Sequence, residues 1–407
     1  MNVLYLLIIF SVIVIVVWVK KPLYLAMLFG IAATILLFRV NLTEAGSVLL
    51  RQTFASETIE MLLSFYLIIF VQLMLEKRGR LINAQNAFDR LIQNPRLNTM
   101  ISPAIMGLLP SAAVMTVCAQ MVDRSCGDVL DKESKTFVAC YYRHIPEMLL
   151  PTFPVILLAL SITGQRAGTF ILAMLPLVVI SCIIVYIPYL TKLPKARSSG
   201  SAVPDTSVDK KAEILKLIKN LWTLIAILII IVFGNLSVCV AASIVIVINF
   251  FMDHFKIREL PDMFIRSAEP VLLGNMYLIM LFKGIVSYTG VLSEMPAFFG
   301  QFPIPLSLSF TLIFFLGTVI SGSQAIVALC MPMALTAFPN GGIPLLTMLM
   351  GVAWGAMQIS PTHVCSFVAA DYYRTTINDI MIRGIIPVVL FSALSYGYAH
   401  LLMLIFS

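Results

Sequence analysis

The chain has 407 residues, of which 60% are apolar and 12% charged. A soluble domain carries about 25% charged residues, so too little polar surface exists for a water-soluble globule, and lipid is the expected solvent. The net charge of +7 comes from Lys and Arg gathered in short stretches between apolar runs, the positive-inside pattern. No basic stripe carries interleaved aromatics, which excludes nucleic acid as a partner.

A bilayer-spanning helix needs about 20 mostly apolar residues. In chain order, the spans 2–19, 22–38, 59–76, 146–163, 168–190, 217–233, 236–252, 268–288, 342–358 and 381–405 meet that requirement. The first is followed by Lys20-Lys21-Pro22 and lacks a cleavage site, so a retained helix is expected rather than a signal peptide. Two further apolar stretches, 97–122 and 304–336, are interrupted by Pro and Gly near their centres. Lys20-Lys21, the run Glu76-Lys77-Arg78-Gly79-Arg80, the stretch 192–219 and the stretch 256–266 place those loops in the cytoplasm. The N-terminus then lies outside an inner (cytoplasmic) cell membrane. Arg39 and Arg51 fall on the outer side as exceptions. The polar stretch 191–211, with Pro194, Ser198-Ser199-Gly200-Ser201 and Pro204, reads as a cytoplasmic linker.

The fold class expected is an all-α polytopic membrane protein. It has about ten transmembrane helices plus two re-entrant hairpins, in two repeated and inverted halves. Residues 62–88 align without a gap on 273–299, so that Gly79 meets Gly290 and Phe88 meets Phe299. Gly107 and Ser111 then meet Gly317 and Ser321, and Tyr141-Tyr142-Arg143 meets Tyr372-Tyr373-Arg374. About twenty extra residues before the second Tyr-Tyr-Arg amount to one crossing, which would turn the second interrupted stretch to the opposite side. The expected division is 1–58, N-terminal scaffold helices; 59–190, a first repeat; 191–216, the linker; 217–262, scaffold helices; and 263–407, a second repeat.

Non-helical backbone inside a membrane is tolerated only within protein or beside a water-filled cavity. Interrupted segments at matching places therefore point to a substrate site. The first offers Pro110 and Ser111; the second offers Ser321, Gly322, Ser323 and Gln324 at a helix N-terminus, where an anion fits. Na⁺ could also sit at the Ser111 and Ser321 tips. Packing by small residues is the plainer alternative for either segment alone.

Ionisable residues in membrane segments are functional candidates by default. His144 and Glu147 flank Pro146, Thr362 and His363 follow Ser360-Pro361, and Asp371 precedes Tyr372. These groups could bind substrate or carry a coupling proton. The alternative puts Arg143, Glu147, Asp371 and Arg374 at a hydrated cytoplasmic interface. Asp123 is expected at that interface, His254 and His400 are expected to be structural, and Asn275, Lys283 and Gln358 are weaker cavity candidates. The seven cysteines form no CxxC pair and the four histidines show no metal spacing, so neither a disulfide nor a metal site is expected. No Walker A run, H-E-x-x-H or G-x-S-x-G motif is present, which argues against an ATP-driven pump and a classical hydrolase.

Gly107-Leu108-Leu109-Pro110-Ser111, Lys135-Thr136-Phe137, Arg143-His144-Ile145-Pro146-Glu147, and Ser360-Pro361-Thr362-His363-Val364-Cys365 followed by Asp371-Tyr372-Tyr373 resemble a polytopic domain-of-unknown-function family. That family is grouped in the ion transporter superfamily, beside gluconate, citrate and dicarboxylate carriers. The resemblance covers the chain from about Leu62 onward. The family pattern is richer in Gly after Leu-Pro, where this chain has Ala112-Ala113, and has Glu where Asp371 stands. What the resemblance implies is an elevator-like carrier with opposed hairpins, flanking scaffold helices and a homodimer.

The function expected is a secondary transporter, coupling Na⁺ or H⁺ to a small organic anion such as a carboxylate. A Na⁺/H⁺ antiporter without organic substrate is the alternative. An intramembrane enzyme using His144 with Glu147, or His363 with Asp371, ranks lower because no nucleophile converges with them; the protein is not expected to be an enzyme.

Overall fold

The computed structural model describes residues 2–19, 21–92, 94–108, 114–195, 209–294, 297–298, 301 and 303–406. Pro110 and Ser111 lie outside these residues, as does 196–208 of the expected linker. Among the described residues the chain is all-helical, with no strand. Five helices are long and apolar enough to cross a bilayer, and shorter apolar helices accompany them.

The N-terminal pair is α1 (Asn2–Trp18) and α2 (Leu23–Leu37), followed by amphipathic α3 (Leu42–Thr53), which starts where the Asn41 side chain accepts from Thr43 N–H. Next come α4 (Ser56–Lys77), α5 (Arg80–Leu91), α6 (Pro95–Met106) and α7 (Val114–Cys126). Pro95 at the first turn of α6 costs no hydrogen bond there, and Asn94 caps it. α6 and α7 pack on one another, so the interrupted stretch 97–122 is two helices.

α8 (Lys132–Arg143) begins at Asp131, whose carboxylate accepts from Ser134 N–H. It stops before a non-helical passage, and α9 (Pro154–Thr163) follows. The single span expected over 146–163 is thus corrected. Pro146, Pro151 and Pro154 remove backbone donors and crowd the preceding turns, so a continuous helix cannot form despite the apolar side chains.

α10 (Ala167–Tyr189), α11 (Lys210–Val232), α12 (Val238–Met252), α13 (Leu260–Ser267) and α14 (Pro270–Tyr288) come next. α15 (Leu306–Ser321) and α16 (Ser323–Ala337) are split by Gly322 and pack against each other. α17 (Gly342–Met357) ends in a second passage, then α18 (Val364–Tyr373) and α19 (Ile377–Phe406) complete the chain.

The α6–α7 pair is followed by the α8–α9 break, and the α15–α16 pair by the α17–α18 break. Gly79 and Gly290 both turn the chain with positive φ (59° and 72°), after α4 and α14. Tyr141-Tyr142-Arg143 ends α8, and Tyr372-Tyr373 ends α18 with Arg374 as its cap. The two triplets lie on helices that pack together. Pro154 starts α9, while Pro387 lies inside α19.

The turn between α12 and α14 is held from outside the spans. Arg78 donates from Nη1 and Nη2 to the two Glu259 oxygens at 3.2 and 3.0 Å, and Lys256 N–H donates to the same carboxylate at 2.8 Å. The Arg78 guanidinium, helped by that amide, lowers the Glu259 carboxyl to about 2 from its usual 4.5. A lowered carboxyl stabilises the fold above the unfolded value and loses that contribution as pH falls towards the folded one. The melting-temperature gap between wild type and Glu259→Gln is therefore expected to be full at neutral pH and to close between about pH 4.5 and 2. A gap unchanged across that window would contradict the assignment.

Candidate functional site

Two chain breaks and the α15–α16 junction meet inside the helices. The α8–α9 break carries His144 and Glu147. The α17–α18 break carries Ser360, Thr362 and His363. The α15–α16 tip carries Ser321, Gly322 and Ser323. Gly322 sits at φ 84°, ψ 157°, a conformation that a side chain strains, which lets α15 stop and α16 start without a connecting loop.

Neighbouring groups fix these passages. Tyr141 and Tyr142 donate to the carbonyls of Ser181 and Cys182 on α10, at 3.1 and 3.2 Å, anchoring the end of α8. Ser360 Oγ donates to Val319 O on α15 at 2.9 Å and pairs with Thr362 Oγ1 at 2.8 Å. Tyr373 donates to Ala119 O on α7 at 2.6 Å, tying α18 to the first helix pair. Trp354 on α17 donates its indole N–H to the His144 carbonyl at 2.7 Å, beside the bond that carbonyl accepts from Glu147 N–H at 3.1 Å.

His144 is fully buried. Its Nδ1 lies 2.6 Å from Cys140 O, and its Nε2 lies 2.7 Å from Nε2 of His363. A carbonyl only accepts, so Nδ1 of His144 carries the hydrogen. In a neutral ring its Nε2 is then a lone-pair acceptor, and His363 donates from Nε2. The two imidazoles come from breaks 219 residues apart in sequence. Cys365, in the first turn of α18, brings its sulfur close to both rings: one nitrogen of each ring and the Cys365 sulfur lie within 4.8 Å of one another.

Arg143 is 2% exposed and pairs with Glu147 at 3.2 Å. The hydrated interface considered for these two residues is corrected: the α8 end is covered by α7, α10, α17 and α18. Glu147 and Ser323 line a cavity of about 10 Å³ with Ile156, Met350 and Trp354, which is room for about one water. Ser321 Oγ donates to Gly317 O at 2.8 Å and Ser323 Oγ faces Met357 Sδ at 3.8 Å. Gln324 is half-buried beside Ser323. Buried Gln358 leaves Nε2 without a partner among the described residues.

Other candidates stand apart. Asp371 and Thr362 are exposed. Asp123 pairs with Lys135 at 2.7 Å, and Lys283 pairs with Glu57 at 2.8 Å. Sequence reasoning passed over Trp354, which lies between Gly351 and Gly355 on a buried helix face. It also expected no metal site among the cysteines and histidines, although Cys365 follows His363 by two residues.

No curated protein matches the chain. A family model described as a protein of unknown function (DUF401) matches residues 2–402, nearly the whole length, and the chain belongs to the DUF401 family.

Proposed function

We propose that this protein is a secondary transporter that couples Na⁺ or H⁺ to the movement of a small organic anion, such as a carboxylate, by an elevator-like motion. The observation that carries the reading is the meeting of two helix breaks and a helix-pair tip around buried Arg143. In lipid, such backbone irregularity is costly unless it serves a site. With the N-terminus outside, α6–α7 enters from the cytoplasm and α15–α16 from the opposite side, as an inverted repeat requires. The N-terminus of α16 and Arg143 supply positive potential for an anion. The resemblance to gluconate, citrate and dicarboxylate carriers supports the same reading, and a homodimer would supply the scaffold.

The small cavity favours a second reading, exchange of Na⁺ for H⁺ without organic substrate, because about 10 Å³ holds no carboxylate. The test is uptake by proteoliposomes of labelled carboxylates under an imposed Na⁺ or pH gradient, with Gly322→Ala alongside. Gradient-driven uptake that falls at least about tenfold in Gly322→Ala is expected, because an alanine is strained at φ 84°. Na⁺-driven proton flux with no carboxylate uptake would select the exchanger. Full uptake in Gly322→Ala would remove the tip from the site.

A further inference from the structure

We propose that His144, His363 and Cys365 form a binding site for a transition-metal ion of the Zn²⁺ class. Two imidazole nitrogens and one thiol sulfur lie within 4.8 Å of one another, contributed by breaks in both halves of the chain. Imidazole and thiolate prefer Zn²⁺, Co²⁺ or copper over Mg²⁺ and Ca²⁺, which take oxygen ligands.

The support around the set is of the kind a metal ligand needs. His144 donates Nδ1–H to Cys140 O at 2.6 Å, which orients the ring and turns the Nε2 lone pair to the site. Its own carbonyl is held by Trp354 at 2.7 Å. The Nε2–Nε2 separation of 2.7 Å is a hydrogen bond; two nitrogens on a tetrahedral Zn²⁺ stand about 3.3 Å apart. The two nitrogens therefore have to part by about 0.6 Å, and the sulfur has to close on them from within 4.8 Å, to take the ion. The charges facing the set are Arg143 and Glu147, which pair at 3.2 Å. Cys140 Sγ lies 3.8 Å from the Cys365 carbonyl oxygen.

The proton balance is explicit. His363 moves its hydrogen from Nε2 to Nδ1, with no net release. Cys365 gives up its thiol proton as sulfur bonds the metal. One proton therefore leaves per divalent ion bound. Three protein ligands leave a fourth position open for water or another small ligand.

This site stands whether or not the protein is a transporter, and its test reads no transport. Purified full-length protein, stripped with a chelator, is titrated with Co²⁺ and Zn²⁺ in weak buffer. The expected result is one Co²⁺ per chain, with a tetrahedral visible spectrum and a thiolate charge-transfer band, and one proton released. His144→Gln, His363→Gln and Cys365→Ser should each weaken Zn²⁺ binding at least about tenfold, while Cys330→Ser leaves it unchanged. Metal-free melting curves check that the variants fold. An octahedral cobalt spectrum without the thiolate band overturns the proposal on the wild-type protein alone. So does Zn²⁺ affinity that persists in Cys365→Ser and His363→Gln.

Discussion

Gly107→Ala is expected to lower the melting temperature sharply and to abolish whatever activity the wild-type protein shows. The backbone of Gly107 is ordinary, with φ −61°, so conformation is not the reason for glycine. Space is the reason. A Cβ there would stand 1.9 Å from the Arg143 carbonyl oxygen and 2.9 Å from its carbon. Both are backbone atoms at the end of α8, which cannot rotate away as a side-chain tip can. The α6 end must therefore move off α8, opening the place where the first helix pair meets the first break. Overpacking alone costs about 1–3 kcal/mol, and a backbone clash belongs at or above the top of that range. The contrast is Gly317→Ala, whose nearest neighbours are all atoms of the Ile326 side chain, the first at 2.3 Å, a group that can turn aside. Melting curves of the two variants in detergent decide the matter, and equal losses would contradict the distinction.

Arg143→Met carries the second large effect. Arg143 is 2% exposed, Glu147 has 16% of its side chain exposed, and they pair at 3.2 Å. Removing one partner of a buried pair leaves an uncompensated charge, at a cost of about 3–5 kcal/mol. Replacing both by well-packed apolar groups is much less costly, so Arg143→Met/Glu147→Met should recover much of the stability lost by Arg143→Met. The double-mutant cycle should return a coupling energy of at least about 1 kcal/mol. Additive losses would show that the two side chains act apart. If Arg143 supports an anionic substrate, the double variant regains stability without regaining uptake.

Five of the ten expected spans, 59–76, 168–190, 217–233, 268–288 and 381–405, fall on described helices long and apolar enough to cross a bilayer; they were legible because an apolar run of about 20 residues admits few other readings. The helix starts at Asn94, Asp131 and Ser237 follow ordinary capping. The stretch 146–163 was misread because its apolar side chains satisfied a hydropathy criterion that ignores three prolines. The two Tyr-Tyr-Arg triplets were legible as a pattern, but their bonds were not: Tyr142 and Tyr373, each at a helix end, donate to a carbonyl on another helix. His144, Glu147 and His363 were visible as breaks with ionisable groups. Their convergence was not, since no local spacing links residues 219 apart. Arg143 looked hydrated because a cation at a helix end usually is, and only the packing of α7, α10, α17 and α18 around it shows otherwise.

The Trp354 hydrogen bond has an optical consequence. The chain has three tryptophans; Trp18 is 74% exposed, and Trp222 is half-buried with no partner for its indole nitrogen among the described residues. Trp354 alone touches the junction, its ring against Tyr141 and Phe391 and its N–H on the His144 carbonyl. Indole emission shifts with the polarity and hydrogen bonding around the ring. With Trp18 and Trp222 replaced by Phe, the protein becomes its own fluorescent gauge, in which the colour of a single native residue reports the polarity at the junction of the two breaks.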